Sequence, residues 1–137
     1  MSEIPNVEDI PCDLIKLTVV NRPGILFSLT HRFQQDLIYT SVGPILVAIN
    51  PFKWIKGIYD NVLIDSYRQG ELNLSTHPHV FAITDEAFLG LQSGYNQSLI
   101  ISGESGAGKI ILSASSYALI INILFSFKAK LRPLNNA

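Results

Sequence analysis

Cysteine is nearly missing: Cys12 is the only one in 137 residues. No disulfide can close within the chain, and a reduced intracellular compartment is expected. Charge is scarce too, with 15% charged residues and a formal net charge of −1. That balance gives no electrostatic basis for holding nucleic acid or an anionic membrane surface, so no nucleic-acid partner is expected. No secretory signal is expected, because Met1 to Cys12 carries Glu3, Glu8 and Asp9 and has no apolar run. Internal repeats and low-complexity linkers are absent, which leaves one domain or a piece of one. His31, His77 and His79 do not form a metal-ligand set, since His77 and His79 face different sides of a helix start. Helix-end or surface positions are expected for all three. Cys12 has no base beside it and reads as a bystander or buried thiol. Glu8, Asp9 and Asp13 read as solvated rather than catalytic, and no catalytic residue is identified.

What the chain has in excess is apolar character, 47% of its residues. From Ile110 to Phe127 it reads IILSASSYALIINILFSF, uncharged between Lys109 and Lys128. This length fits either a minimal membrane span or a helix buried in a larger protein. Both readings stay open on hydropathy alone.

Residues 1–20 show little periodicity, are interrupted by Pro5 and Pro11, and read as an extended opening segment. Asn21 suits an N-cap with Pro23 in the first helical turn, and Ile25, Leu26, Leu29 and Phe33 give that helix a core face. Ile38-Tyr39-Thr40 and Ile45 to Ile49 read as strands joined through Ser41-Val42-Gly43-Pro44, the second ended by Asn50-Pro51. A second helix fits Asn61 to Arg68, capped by Asp60 and stopped by Gly70. A third fits Pro78 to Gln92, with Val80, Phe81, Ala87, Phe88 and Leu91 on one face, ending near Gly94. Ser98-Leu99-Ile100-Ile101-Ser102 reads as a buried parallel strand. It runs straight into Gly103-Glu104-Ser105-Gly106-Ala107-Gly108-Lys109-Ile110.

Strand, then G-x-x-x-x-G-K, then helix is the arrangement that makes a phosphate cradle. Gly103, Gly106 and Gly108 let backbone N–H groups turn inward, and the following helix N-terminus adds partial positive charge. Lys109 can reach β- and γ-phosphates as a point charge. At the next position such loops carry Ser or Thr, whose hydroxyl ligates Mg²⁺. Ile110 supplies no oxygen there. Phosphate binding can survive that change; metal-assisted hydrolysis is not expected to.

With its neighbours the loop resembles that of the myosin motor head: NQSLIISGESGAGK (Asn96 to Lys109) matches the family's GESGAGKT region. Val7-Glu8-Asp9-Ile10 resembles the VEDM-type opening, and Arg32 to Thr40 resembles the RY…IYT helix-to-strand segment. Val47 to Lys53 is similar to VAINPFK, and His77 to Ile83 to PPHIFAIA. The resemblance covers Val7 to Lys109. It implies an α/β fold, part of a P-loop NTPase-type mixed, mostly parallel sheet with flanking helices and with Leu99 to Ile101 as a central strand. It implies ATP as nucleotide, with Asn50, Pro51, Phe52, Lys53 and Tyr59 beside the adenine. Mg²⁺ is implied as well, its usual protein ligand replaced by Ile110. An actin filament is the implied partner and the cytoskeleton-associated cytoplasm the implied location.

Where the family continues as TENTK, this chain has Ile110 to Ala114, and residues 110–137 show no resemblance. Residues 1–109 therefore read as the N-terminal part of a motor domain and 110–137 as a divergent apolar tail. The family's switch segments and actin-binding region find no counterpart, which suggests a truncated, alternatively spliced or mispredicted product. The isolated chain is expected to lack ATPase activity. The alternatives are a residual nucleotide-binding module or an inert product with a membrane-prone end. An unpaired Leu99–Ile101 strand is expected to make it poorly soluble.

Overall fold

The computed structural model describes residues 10–130. The opening segment before Ile10, with Val7, Glu8 and Asp9, and the last seven residues of the tail lie outside the described residues. Within the segment expected to be extended, Leu14–Lys16 forms a single 3₁₀ turn. Asp13 starts it: one carboxylate oxygen accepts from the Ile15 N–H (3.1 Å) and from the Gly43 N–H (3.1 Å). Asp13 is buried, not solvated as expected, because it ties this turn to the hairpin that follows.

Helix α1 spans Arg22–Gln34, and Asn21 caps it as the sequence suggests, its Oδ1 accepting from the Gly24 N–H at 2.7 Å. A cap of this kind stabilises by about 1 kcal/mol. The helix ends at Asp36, which has a φ of +61°. Leu37 N–H donates to the Arg32 carbonyl at 3.0 Å and Asp36 N–H to that of Phe33 at 3.1 Å, the paired bonds of a left-handed helix stop. The buried stripe of α1 is Gly24, Ser28 and Arg32, four residues apart. The expected face is therefore displaced: Ile25, Leu29 and Phe33 are half-buried and Leu26 is exposed. Polar bonding turns the helix this way. Ser28 Oγ donates to the Gly24 carbonyl (2.9 Å), and Arg32 donates to Thr40 Oγ1 (3.0 Å) and the Tyr39 carbonyl (2.8 Å).

Strands β1 (Tyr39–Val42) and β2 (Ile45–Ala48) form an antiparallel hairpin with Tyr39 opposite Ala48 and Val42 opposite Ile45. Gly43 has a φ of +56° at the first of the two turn residues, where a II′ turn needs glycine. The sheet of the described residues is this two-stranded hairpin. The central strand expected at Leu99 to Ile101 is not formed: Asn96 to Glu104 has no regular structure, and Ile100 is 91% exposed. Among the described residues no strand stands beside this segment, so its backbone has no ladder to join.

Helix α2 spans Asn61–Arg68 and reaches Gly70, whose φ of +75° ends it as expected. Asp60 holds the N-cap position, but its side chain makes no capping bond. Helix α3 (Val80–Gln92) begins two residues later than expected, because His79 is its cap. Val80, Phe81, Ala82 and Thr84 in its first turns are buried, whereas Leu91 at its far end is exposed. Helix α4 (Lys109–Lys130) packs on α3. Ser116, Leu119 and Ile123 are buried, while Ile110, Ile111, Tyr117 and Ile121 are exposed. One core thus joins Ile38 and Tyr39 of the hairpin region, Ile64 and Tyr67 of α2, Val80 and Phe81 of α3, and Leu119 and Ile123 of α4. Among the described residues no helix is long and apolar enough to cross a membrane.

Candidate nucleotide-binding site

The glycine loop lies between the irregular segment and the first turn of α4. Gly106 and Gly108 have φ of +82° and +90°, values that L side chains rarely adopt. The loop closes on itself through the Ala107 N–H to the Glu104 carbonyl (3.2 Å). Lys109 folds back across it, its Nζ donating to the carbonyls of Gly103 (2.7 Å) and Glu104 (2.8 Å). The ammonium is therefore held at the mouth of the loop, next to the unsatisfied N–H groups of a 22-residue helix. Glu104, Ser105 and Gly106 are exposed, and Ala107, Gly108 and Lys109 are half-buried. An anion entering here meets backbone N–H groups and one cation.

Asn50 joins this loop to a second one. Its Nδ2 donates to the Gly106 carbonyl at 2.6 Å, and its Oδ1 accepts from the Phe52 N–H at 3.0 Å. A Cβ placed on Gly108 would lie 3.7 Å from the Asn50 Cβ, so the two loops are already in contact. Between them runs an open apolar cleft. Asn50, Pro51, Lys53 and Tyr59 line one side, and Ala107 and Gly108 the other. The structure thus brings together four of the five residues expected beside the base. Phe52 is the exception: it is 83% exposed and outside the cleft lining, on a backbone with φ of +50°. Ile110 also stands apart, 84% exposed and outside the cleft lining.

Sequence reasoning missed several other residues of the lining. Trp54, Ile55 and Ile58 come from the same loop, and Ile111 and Leu112 from α4. Trp54 is 81% exposed yet lines the cleft and tilts toward Tyr59, with ring centres 6.4 Å apart. Ile111 and Leu112 carry one signal in the sequence, their place in the helical turn directly after the glycine loop.

Below the cleft the side chains form an aromatic cage. Tyr59 and Tyr39 share a hydroxyl hydrogen bond of 2.8 Å. Burial, reinforced by that bond, holds the Tyr39 phenol far above its ordinary range. Burial also pushes Tyr67 up to about 12. His79 sits among Tyr39, Tyr59, Tyr67 and Phe81, at ring-centre distances of 4.6, 5.8, 5.7 and 4.5 Å. Its Nδ1 accepts from the Phe81 N–H at 3.1 Å, so the ring proton resides on Nε2. That atom is buried and makes no well-formed hydrogen bond among the described residues, with the Ile58 backbone as its polar neighbour. Burial pushes His79 down to about 4. It is a helix-end histidine as expected, but an interior one.

The glycine loop thus stands ahead of a helix and is tied to the Asn-Pro loop beside an apolar cleft. The family model for the myosin head (motor domain) matches residues 11–130. The chain is 46% identical over 106 residues to Myosin-1 of Arabidopsis thaliana, covering 77% of this chain and 9% of that protein. It is 46% identical over 108 residues to Myosin IA heavy chain of Dictyostelium discoideum, covering 78% and 10%. With Protein OPAQUE1 of Zea mays the identity is 41% over 102 residues, covering 71% and 6%. The chain belongs to the myosin head (motor domain) family. It spans a tenth or less of the length of each of these relatives.

Proposed function

We propose that the chain is the nucleotide-pocket portion of an actin-based, ATP-driven motor, and that by itself it holds ATP without hydrolysing it. The observation that carries this reading is the Asn50–Gly106 bond, which sets an apolar cleft and a phosphate loop side by side. Lys109 exchanges the carbonyls of Gly103 and Glu104 for phosphate oxygens, and the backbone of residues 103–108 supplies further donors. Asn50, Pro51 and Tyr59 flank the base. Mg²⁺ accompanies ATP but gains no side-chain oxygen at Ile110, so the metal is held through phosphate and water alone. The resemblance finds no counterpart of the family's water-positioning switch segments in this chain, and turnover is not expected. The actin filament and the cytoskeletal location belong to the proposal for the complete motor.

Equilibrium titration of the chain with ATP, with and without a chelator, tests this. The expected result is saturable binding that changes by less than about threefold on chelation. Lys109→Ala should abolish it, and phosphate release should stay at the blank. Absence of binding overturns the reading, as does turnover that disappears in Lys109→Ala.

A further inference from the structure

We propose that the open cavity lined by Arg32, the start of β1, the Ile55–Ile58 loop and His79 binds a small monocarboxylate with an apolar body, its carboxylate paired with Arg32. Ile38, Tyr39, Ile55 and Ile58 line both this cavity and the nucleotide cleft, so the two back onto each other. The proposal does not depend on nucleotide binding.

Arg32 is 9% exposed and has no carboxylate partner among the described residues. A cation this deep is almost never left unpaired. Burial lowers the Arg32 value, since desolvation disfavours the charged form. Of the five N–H groups of a guanidinium, the bonds to Thr40 Oγ1 and to the Tyr39 carbonyl use two. Both acceptors are neutral, so the charge is not offset and donors are left for a ligand. The side chain lines an open cavity of about 620 Å³, a size suited to small molecules. His79 lines it as well, and its buried Nε2–H makes no well-formed hydrogen bond among the described residues. The other charges of the lining narrow the ligand class. Asp36 is paired with Lys53, and Lys56 is exposed. One buried cation balances one negative charge, whereas a phosphate dianion would leave a charge uncompensated near the Asp36 carboxylate. A guanidinium fork fits a carboxylate with two parallel bonds. Leu37, Ile38, Ile55, Ile58 and Leu63 offer apolar wall to the rest of the ligand.

The test is calorimetric titration of the chain with octanoate, octanamide, acetate and inorganic phosphate, repeated with Arg32→Lys and Leu37→Glu. Octanoate should bind saturably at one site, and octanamide, which has the same shape without the charge, at least about tenfold more weakly. Acetate, which lacks the apolar body, and phosphate should each be weaker than octanoate by about tenfold or more. Arg32→Lys keeps the charge but loses the fork and should weaken octanoate by about three- to tenfold. Leu37 is 45% exposed and lines this cavity but not the nucleotide cleft. Leu37→Glu should therefore melt close to the parent and weaken octanoate by about tenfold through like-charge repulsion. The Leu37→Glu and octanamide results decide the matter even where Arg32→Lys does not fold. Equal binding of octanoate and octanamide overturns the proposal, as does tighter binding of phosphate. Octanoate affinity unchanged in folded Leu37→Glu places the ligand elsewhere and overturns it too, and so does absence of octanoate binding to the parent chain.

Discussion

Asn50 and Gly106, 56 positions apart in the chain, are joined by a 2.6 Å hydrogen bond from the Asn50 side-chain amide to the Gly106 carbonyl. This one contact couples the turn that ends β2 to the loop that begins α4. It fixes the distance between the apolar cleft and the glycine loop, and no local pattern in the sequence specifies it.

Removing the coupling should loosen the site without unfolding the chain. Asn50→Ala deletes a solvent-accessible hydrogen bond, worth about 0.5–1.5 kcal/mol. ATP affinity should fall by about two- to tenfold, with a melting temperature close to that of the parent. A calorimetric titration and a thermal melt on the same samples measure both. Unchanged affinity would mean that the two loops hold their places independently.

Ile110 offers the converse experiment. Its side chain is exposed, so Ile110→Thr removes no packing and should shift stability by no more than about 0.5 kcal/mol. A hydroxyl at this position gives Mg²⁺ one protein ligand among its roughly octahedral set. A gain of about tenfold in ATP affinity is expected with Mg²⁺ present and none after chelation. Superimposable curves for parent and variant under both conditions would show that the hydroxyl does not reach the metal.

His79 makes the fold sensitive to acid. Its folded value of about 4 lies below the ordinary 6.5, so the unfolded chain binds the extra proton between those limits. Stability from the neutral ring is complete above pH 6.5 and is lost as pH falls toward 4, by up to about 3 kcal/mol. Asp85, whose carboxyl burial raises, acts in the opposite direction and favours the fold as pH drops. Replacing His79 with Asn keeps a capping side chain and removes the titration. The difference in unfolding free energy between parent and His79→Asn should therefore depend on pH across this window; a constant difference refutes the assignment.

The apolar helix after the glycine loop is part of the core. Leu119→Ala should destabilise the chain by about 2–5 kcal/mol, since the side chain is fully buried against the α2–α3 cluster. Tyr117→Ala, on the exposed face of the same helix, should cost far less. Urea unfolding of the two variants measures the contrast, and equal effects would place α4 outside the cooperative unit.

The Ser98–Ser102 segment predicts solution behaviour. Leu99, Ile100 and Ile101 are exposed and next to no partner strand among the described residues, a combination that favours association. Ile100→Lys should raise the concentration at which the chain stays monomeric and leave its melting temperature unchanged. Light scattering across a concentration series decides the matter, and identical curves for parent and variant would clear this segment.

The sequence by itself determined the local elements. The Asn21 cap, the Gly43-Pro44 turn and the Gly70 stop each act within a few residues of themselves, so α1, the hairpin and α2 are legible from residue type alone. The glycine loop was legible for the same reason, and resemblance to the myosin head singled out Asn50, Pro51, Lys53 and Tyr59, which line one cleft. Tertiary structure decided everything that depends on a distant partner. Arg32 rotated the buried face of α1 by bonding to Thr40 and the Tyr39 carbonyl. Asp13, read as solvated, became buried by capping its own turn and holding Gly43. Leu99 to Ile101 has the composition of a strand, but strand formation requires a neighbour to accept its backbone bonds, and none stands beside it among the described residues. The helical run after Lys109 fitted a membrane or a core equally well by hydropathy; which of its residues meet the core, Leu119 and Ile123 among them, was decided by the elements packed beside it, because a helix takes its environment from the surface it covers.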